Sequence, residues 1–249
     1  MRLYKADLHI HTVLSPCTEL TMGPRDIVHA AIDRQLDIIA ITDHNSAENA
    51  GAVIKAAKNT QLTVIPGLEV YTREEAHVLC LFPDLQTAVE LQREIYAHLP
   101  EGINDASFFG EQFICDEHEH IIGECERLLC MPTNLSLNSV AEKVDDLGGI
   151  LIPAHIDRPC YSLLSTLGFI PKHRSIKAVE LTMNDPHSPT AQRFLNNSKY
   201  TVITSSDAHD LQHLGAHYTT FKMYEPTFAE LALSIQKTDG RDVYVNVEP

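Results

Sequence analysis

The chain has 249 residues, 44% of them hydrophobic and 21% charged, and its 34 acidic against 19 basic side chains leave a formal charge of −15. At this length roughly 70% or more of the unfolded surface can be buried, so no disulfide staples are needed, and the acidic excess repels a phosphate backbone, which disfavours long nucleic acid as a partner. There is no long apolar run to suggest a membrane partner, the opening MRLYKADLHIHT lacks a signal-peptide core, and Cys17, Cys80, Cys115, Cys125, Cys130 and Cys160 form no CxxC pair, which points to a cytoplasmic chain with reduced thiols.

Strand-like runs are expected at Leu3–Ile10, Asp37–Thr42, Leu62–Leu68, Val78–Phe82, Gly149–Ala154, Ala178–Leu181 and Thr201–Thr204. Helical patterns fall between them at Pro24–Gln35, Ala47–Asn59, Leu85–Leu99, Leu137–Leu147, Pro189–Asn197 and Thr227–Lys237. In the first of these, proline opens the helix and Ile27, Ala30, Ala31 and Ile32 are expected on one side. The alternation is that of βα units around a parallel sheet or barrel. Pro100–Asn134 breaks the rhythm with two short apolar runs, Gln112–Cys115 and Ile121–Gly123, and predicts a hairpin or lid inserted at about 100–134 in a single domain spanning 1–249.

The 14 histidines are placed unevenly. In Asp7-Leu8-His9-Ile10-His11 a period of two puts Asp7, His9 and His11 on one strand face and Leu8 and Ile10 on the other. The second predicted strand leads to Asp43-His44, the third to Glu69, the fifth to His155 and the seventh to Asp207 and His209. In an αβ barrel such strand ends open onto one face, where active sites are built. Imidazoles and carboxylates without paired thiolates suit Zn, Mn or Fe as divalent ions, and one bridging carboxylate can hold two ions about 3.5–4 Å apart. A Ser-His-Asp triad around Ser205 or Ser206 lacks a GxSxG elbow and leaves most histidines unexplained.

The segments DLHIHT, ITDHN, PGLEV with the following His77, IPAHID and SSDAH resemble the ordered motifs of the PHP (polymerase and histidinol phosphatase) family, from Asp7 to His209. The resemblance implies a distorted (β/α)7 TIM-like barrel with two or three divalent metals at the C-terminal ends of its strands, hydrolysing phosphomonoesters or phosphodiesters. It implies that His9, His11, Glu69 and Asp207 bind a first metal, that Glu69 bridges to a second held by His77 and His155, and that His44 and His209 hold a third. Asp43 and Asp7 are expected to support these ligands. His77 fits the strand-end rule least well, since it precedes its predicted strand. The first motif also departs from the family, because Ser15-Pro16-Cys17 puts proline where an Asp or His ligand usually stands. Glu19 is the expected substitute and Cys17 the poorer one.

The reading that follows is a metal-dependent phosphoesterase using a bridging water on a small phosphorylated substrate. Arg158, in HIDRP, grips phosphate or else pairs with a nearby acid, and His209 or Asp207 passes a proton to the leaving oxygen. An amidohydrolase-like metal hydrolase is the alternative, though no strand end presents the lysine that ordinarily bridges its metals; a catalytically silent metal-binding module is the third. His118 and His120, in DEHEH, are assigned to a solvated loop.

Overall fold

The computed structural model describes residues 1–197 and 199–245, so Ser198 and residues 246–249 of the expected 1–249 domain lie outside the described residues. In chain order the elements are β1 (Arg2–Ile10), α1 (Pro24–Asp33), β2 (Ile38–Ile41), α2 (Ala50–Ala56), β3 (Thr63–Tyr71), β4 (His77–Leu81), α3 (Leu85–Ala97) and α4 (Ala106–Phe109). They continue with β5 (Phe113–Cys115), β6 (Ile121–Glu124), α5 (Leu137–Asp146), β7 (Ile150–Pro153), α6 (Leu163–Leu167), β8 (Ala178–Glu180), α7 (Pro189–Asn197), β9 (Thr201–Ile203), β10 (Thr219–Met223), α8 (Phe228–Ile235) and β11 (Asp242–Val245).

Seven strands form one curled sheet in the order β11-β10-β1-β2-β3-β4-β7, with β8 and β9 paired beside it. The β1, β2 and β3 neighbours are parallel, whereas β4 runs antiparallel to both β3 and β7 and β10 runs antiparallel to β1. The architecture is therefore mixed α/β, and the βα alternation expected from the sequence is interrupted by a β3–β4 hairpin. One apolar cluster lies on the concave side, where Leu8, Ile38, Ile65, Leu79, Ile152 and Phe221 meet under α8. The other packs the opposite side of the sheet against α1, α2, α3 and α5 through Ile27, Val53, Leu91 and Val140. On α1 the buried residues are Pro24, Ile27, Val28 and Ala31, while Ile32 is exposed, so the buried stripe is turned by one position from the expected one.

Two local irregularities set up the site. The β1–β2 ladder shifts register between Asp7 and Ile10. Before the shift Ala6 and Leu8 join the concave cluster; after it Ile10 joins the helix-side cluster. The strict alternation expected from Asp7 to His11 is therefore wrong: the extra residue rephases the strand, and Asp7 parts company with His9 and His11. The second irregularity is the length of β3, which runs past Leu68 so that Glu69 lies within the strand and Tyr71 pairs with His77. Because β4 returns antiparallel, its first residue stands at the end of the sheet where its parallel neighbours finish.

The insertion is a hairpin, β5–β6, docked on the main sheet's loops. Asn49 donates to the Phe113 carbonyl at 2.9 Å and accepts from the Cys115 amide at 2.9 Å, and Glu119 accepts from the Arg25 and Asp26 amides, each at 3.0 Å. Glu119 thus caps α1, whose own Gly23 has no side chain to do so.

Candidate metal centre

Parallel strands finish at one end of the sheet and deliver His9 and His11 from β1, His44 after β2, His155 after β7, Glu180 at the end of β8, and Asp207 and His209 after β9. Glu69 and His77 join them from the β3–β4 hairpin. His155 and Asp207 adopt left-handed backbone with φ of 29° and 50°, a conformation that persists only where surrounding contacts enforce it. The enforcing contacts are present: the His155 amide donates to Glu180 Oε2 at 3.0 Å, and the Ser206 amide donates to Asp7 Oδ1 at 3.0 Å.

Glu69 is the hub. Its side chain is 1% exposed, and His77 Nδ1, His155 Nε2 and His9 Nε2 approach Oε1 at 2.9, 3.1 and 3.2 Å. On the other oxygen, His44 Nδ1 and His11 Nε2 stand 2.8 and 3.5 Å from Oε2. Asp207 Oδ1 adds a second carboxylate 3.1 Å from His9 Nε2 and 3.2 Å from His11 Nε2. Burial opposes ionisation of Glu69, but the charges of His77, His9 and His44 hold its carboxyl well below the usual range. Burial likewise opposes ionisation of Asp207, and His9 and His11 bring it well below its ordinary value.

The proton inventory shows what this arrangement lacks. His9 Nδ1 faces Glu180 Oε2 at 3.0 Å and so carries the ring proton, which leaves a lone pair on Nε2. Ser15 Oγ donates to Asp43 Oδ1 at 2.7 Å and can only accept from His11 Nδ1 at 3.1 Å, so His11 Nε2 is also a lone pair. These two nitrogens stand 3.1 Å apart and face Glu69 and Asp207. Lone pairs converge there with no proton between them unless one ring is charged. Burial lowers the His9 pKa, yet Asp207, Glu180 and Glu69 outweigh it and raise it well above the ordinary imidazole value. Burial and the His209 and His44 rings push His11 well below it. A divalent cation resolves the same conflict, so the donor set fits one. Three sets of donor atoms lie within 4.8 Å of one another: His9, His11 and Glu69; His44, Glu69 and His77; and His11, His44 and His209.

The expected residues fall into place unequally. His155 reaches Glu69 but belongs to none of the three sets, and His44 stands with Glu69 and His77 as well as with His209. Asp43 does not touch an imidazole; it holds Thr12 and Ser15, and Ser15 orients His11. Asp7 accepts from Ser206 and from the Gly215 amide at 2.8 Å, steadying the loop that carries Asp207. Arg158 Nη2 pairs with Asp207 Oδ2 at 2.6 Å, the nearby acid expected as its alternative partner, and Asp157 bonds Thr182. Glu19 is the correction: it is exposed, its carboxylate accepts from Thr21 Oγ1 at 3.4 Å, and it joins none of the three donor sets. Cys17, the poorer candidate, is exposed as well and likewise joins none of the three donor sets. Desolvation raises the thiol pKa, but hydrogen bonds to His209 and His44 prevail and bring it to about 6.

Glu180 was missed altogether, as were Tyr71 and Tyr161. The two tyrosine rings flank His77, with Tyr161 stacked at 5.2 Å and Tyr71 edge-on at 4.6 Å. The signal for Glu180 was one acid inside the apolar run Ala178–Leu181. His118 and His120 are in the hairpin turn, where Asp116 receives both their amides.

The PHP domain profile matches residues 7–148, more than half of the chain, and the PHP-associated profile matches residues 187–239. Uncharacterized protein YqxK of Bacillus subtilis (strain 168) is 26% identical over 99% of this chain and 65% of its own length. The lesion-specific endonuclease PfuEndoQ of Pyrococcus furiosus superposes with a TM-score of 0.66 at 19% identity, over 97% of this chain and 58% of that one. A Bifidobacterium adolescentis protein described as a metal-dependent phosphoesterase superposes with a TM-score of 0.55 at 18% identity, over 82% of this chain and 87% of that one. The chain therefore spans about two thirds of YqxK and less of the endonuclease.

Proposed function

This chain belongs to the PHP family, and from that premise we propose that it is a metal-dependent phosphoesterase acting on a small phosphomonoester or phosphodiester. The observation that carries the reading is the convergence of two imidazole lone pairs, His9 Nε2 and His11 Nε2, on each other and on two carboxylates. In this reading His9, His11, Glu69 and Asp207 hold one ion, and Glu69 is shared with a second that His77, His155 and His44 surround. We read the curled sheet, with β8 and β9 beside β7, as a distorted (β/α)7 barrel whose parallel strand ends bear the site.

When bound, divalent ions lower the pKa of water and offset the charge of a phosphate. The chain's own residues do the rest. Glu180 fixes the His9 ring and the His155 backbone, and Ser15 fixes His11, so the ligands are held before substrate arrives. Arg158 is engaged with Asp207 but is 38% exposed and keeps donors for a phosphate oxygen. Of the two residues considered for the leaving oxygen, Asp207 is held as a carboxylate. His209 has a proton to give: burial lowers its pKa, but its hydrogen bond to Cys17 raises it further. An amidohydrolase-like reaction finds less support, since the shared position is a glutamate and no lysine.

Glu69→Gln tests this directly. Phosphoesterase turnover with added Mn²⁺ or Zn²⁺ is expected to fall by about 10²-fold or more while the protein stays folded. Near-normal turnover in a fully loaded variant would sink the assignment.

A further inference from the structure

We propose that the cleft between α6 and α7 is a second, non-catalytic binding site for a small organic phosphate, with the phosphate on Lys172, Arg193 and Lys199 and the apolar or aromatic body of the ligand against Phe169 and Ile170. The site stands apart from the metal centre: none of the residues lining the cleft belongs to any of the three donor sets. Lys172 precedes β8 and Lys199 precedes β9, whereas Glu180 ends β8 and Asp207 follows β9. The two strands are parallel, so the cleft lies where they start and the metal centre where they finish. An occupant of the cleft does not reach the reacting atoms.

The local sequence opens this cleft. α6 ends at Gly168, whose left-handed backbone, with φ of 78°, turns the chain while its amide donates to the Leu164 carbonyl at 3.1 Å. Beyond the turn Phe169 is left 59% exposed, and Ile170 packs inward. On α7, Ala191 and Phe194 stand three positions apart and are buried with Val179 and Leu181, which leaves Arg193 facing solvent. A cavity of about 370 Å³ remains between these segments and the Lys199–Tyr200 return to β9. That size falls in the range of small-molecule pockets, roughly 300–1,000 Å³.

Its charge is the unusual feature. Three of the lining residues are cations and none is an acid, in a chain where acids outnumber bases by 34 to 19. Other cations take carboxylate partners: Arg174 pairs with Asp145 and Arg241 with Glu230, each at 2.6 Å. Among the described residues Lys172, Arg193 and Lys199 have no such partner. Arg193 lies over the Phe194 ring at 5.8 Å and Lys199 over the Tyr200 ring at 4.6 Å, so rings and charges share the same walls. Like charges gathered in one cleft repel, and an anion relieves them. A phosphate brings two charges and several acceptor oxygens on one compact group, which suits three cations better than a single carboxylate does, and the arginine fork meets two of its oxygens at once. The apolar lining asks the rest of the ligand for a flat or greasy body.

The test uses the full chain stripped of metal and a fluorescent nucleotide, trinitrophenyl-ADP, whose flat body and diphosphate match the two halves of the cleft. Saturable binding is expected, displaced by ADP and not by adenosine, which lacks the charge. Arg193→Gln combined with Lys199→Gln changes two exposed side chains and should leave the fold intact. It is expected to weaken binding by about tenfold or more, the scale of one lost charge-assisted bond. Phe169→Ala should weaken the nucleotide and leave inorganic pyrophosphate, titrated by calorimetry, unchanged. Arg158→Ala, at the metal centre, should alter neither. Absence of saturable binding, full binding in the double variant, or loss in Arg158→Ala instead would overturn the proposal. So would a single-stranded oligonucleotide that binds more tightly than the nucleotide and is lost in the same double variant, since the cleft would then be a docking surface for a polyanion.

Discussion

Glu180 accepts from His9 Nδ1 and from the His155 amide, each at 3.0 Å, and so ties two strand ends to one buried acid. Its charge keeps the His9 proton on Nδ1 and the lone pair aimed inward. Glu180→Gln is expected to weaken metal binding about 10- to 100-fold, read by competition with a coloured chelator, because the lost partner no longer orients or enriches the ligand ring. A second consequence concerns pH. Without an ion His9 is pushed well above the imidazole range and holds a proton that the cation must displace. Affinity should therefore keep rising with pH beyond about 6.5, with roughly one proton released per first ion bound near neutrality, measured in weakly buffered solution. An affinity that is flat above that pH would contradict this. The sequence exposed His9, His11, His44, His155, Asp207 and His209 because each sits in a short motif at the end of an apolar run. It hid Glu180, since one acid in an apolar strand has no partner nearby in sequence. It also ranked Glu19 above Cys17 on donor chemistry, yet both are exposed and neither joins a donor set, because the turn after Ser15 leaves the buried end of the sheet.

At the scale of elements, period-two and period-3.6 patterns were enough to locate most strands and helices, and their failures have local causes. The β1 register shift is invisible to alternation, because one extra residue moves Asp7 and His9 to different faces without changing composition. His77 looked misplaced only on the assumption of parallel strands; once β4 returns antiparallel, the start of a strand is the correct end. The hairpin within 100–134 was legible from its two apolar runs, but its docking was not, since Asn49 and Glu119 bind it through single long-range contacts. Asn49→Ala removes the partners of Phe113, Cys115 and Thr12 together. It should lower stability by on the order of 2–4 kcal/mol in urea unfolding, with the largest loss of hydrogen-exchange protection in the hairpin. Loss spread evenly over the chain would argue that Asn49 does not act as the hairpin's anchor.

For the whole molecule, the curl of the sheet gathers eight residues separated by up to 200 positions into one centre. It does so at an electrostatic cost. Asp7, Asp43, Glu69 and Glu180 are all buried in a chain of net charge −15, and no helix among the described residues is long and apolar enough to cross a membrane. Divalent ions offset that negative charge and stabilise the folded state by mass action. The net charge of −15 is the reason the proposed function takes a small phosphorylated substrate rather than a long polyanion. The most direct measurement of the central claim returns metal stepwise to the chelator-stripped full chain. Bound ions per chain are followed together with initial rates on a generic phosphomonoester, a phosphodiester and a matched amide. The account predicts no turnover without metal, phosphoester hydrolysis that rises with occupancy of the Glu69 centre, and no such rise in Glu69→Gln. Phosphoester turnover by metal-free protein, or a loaded protein that cleaves the amide and neither ester, would contradict it.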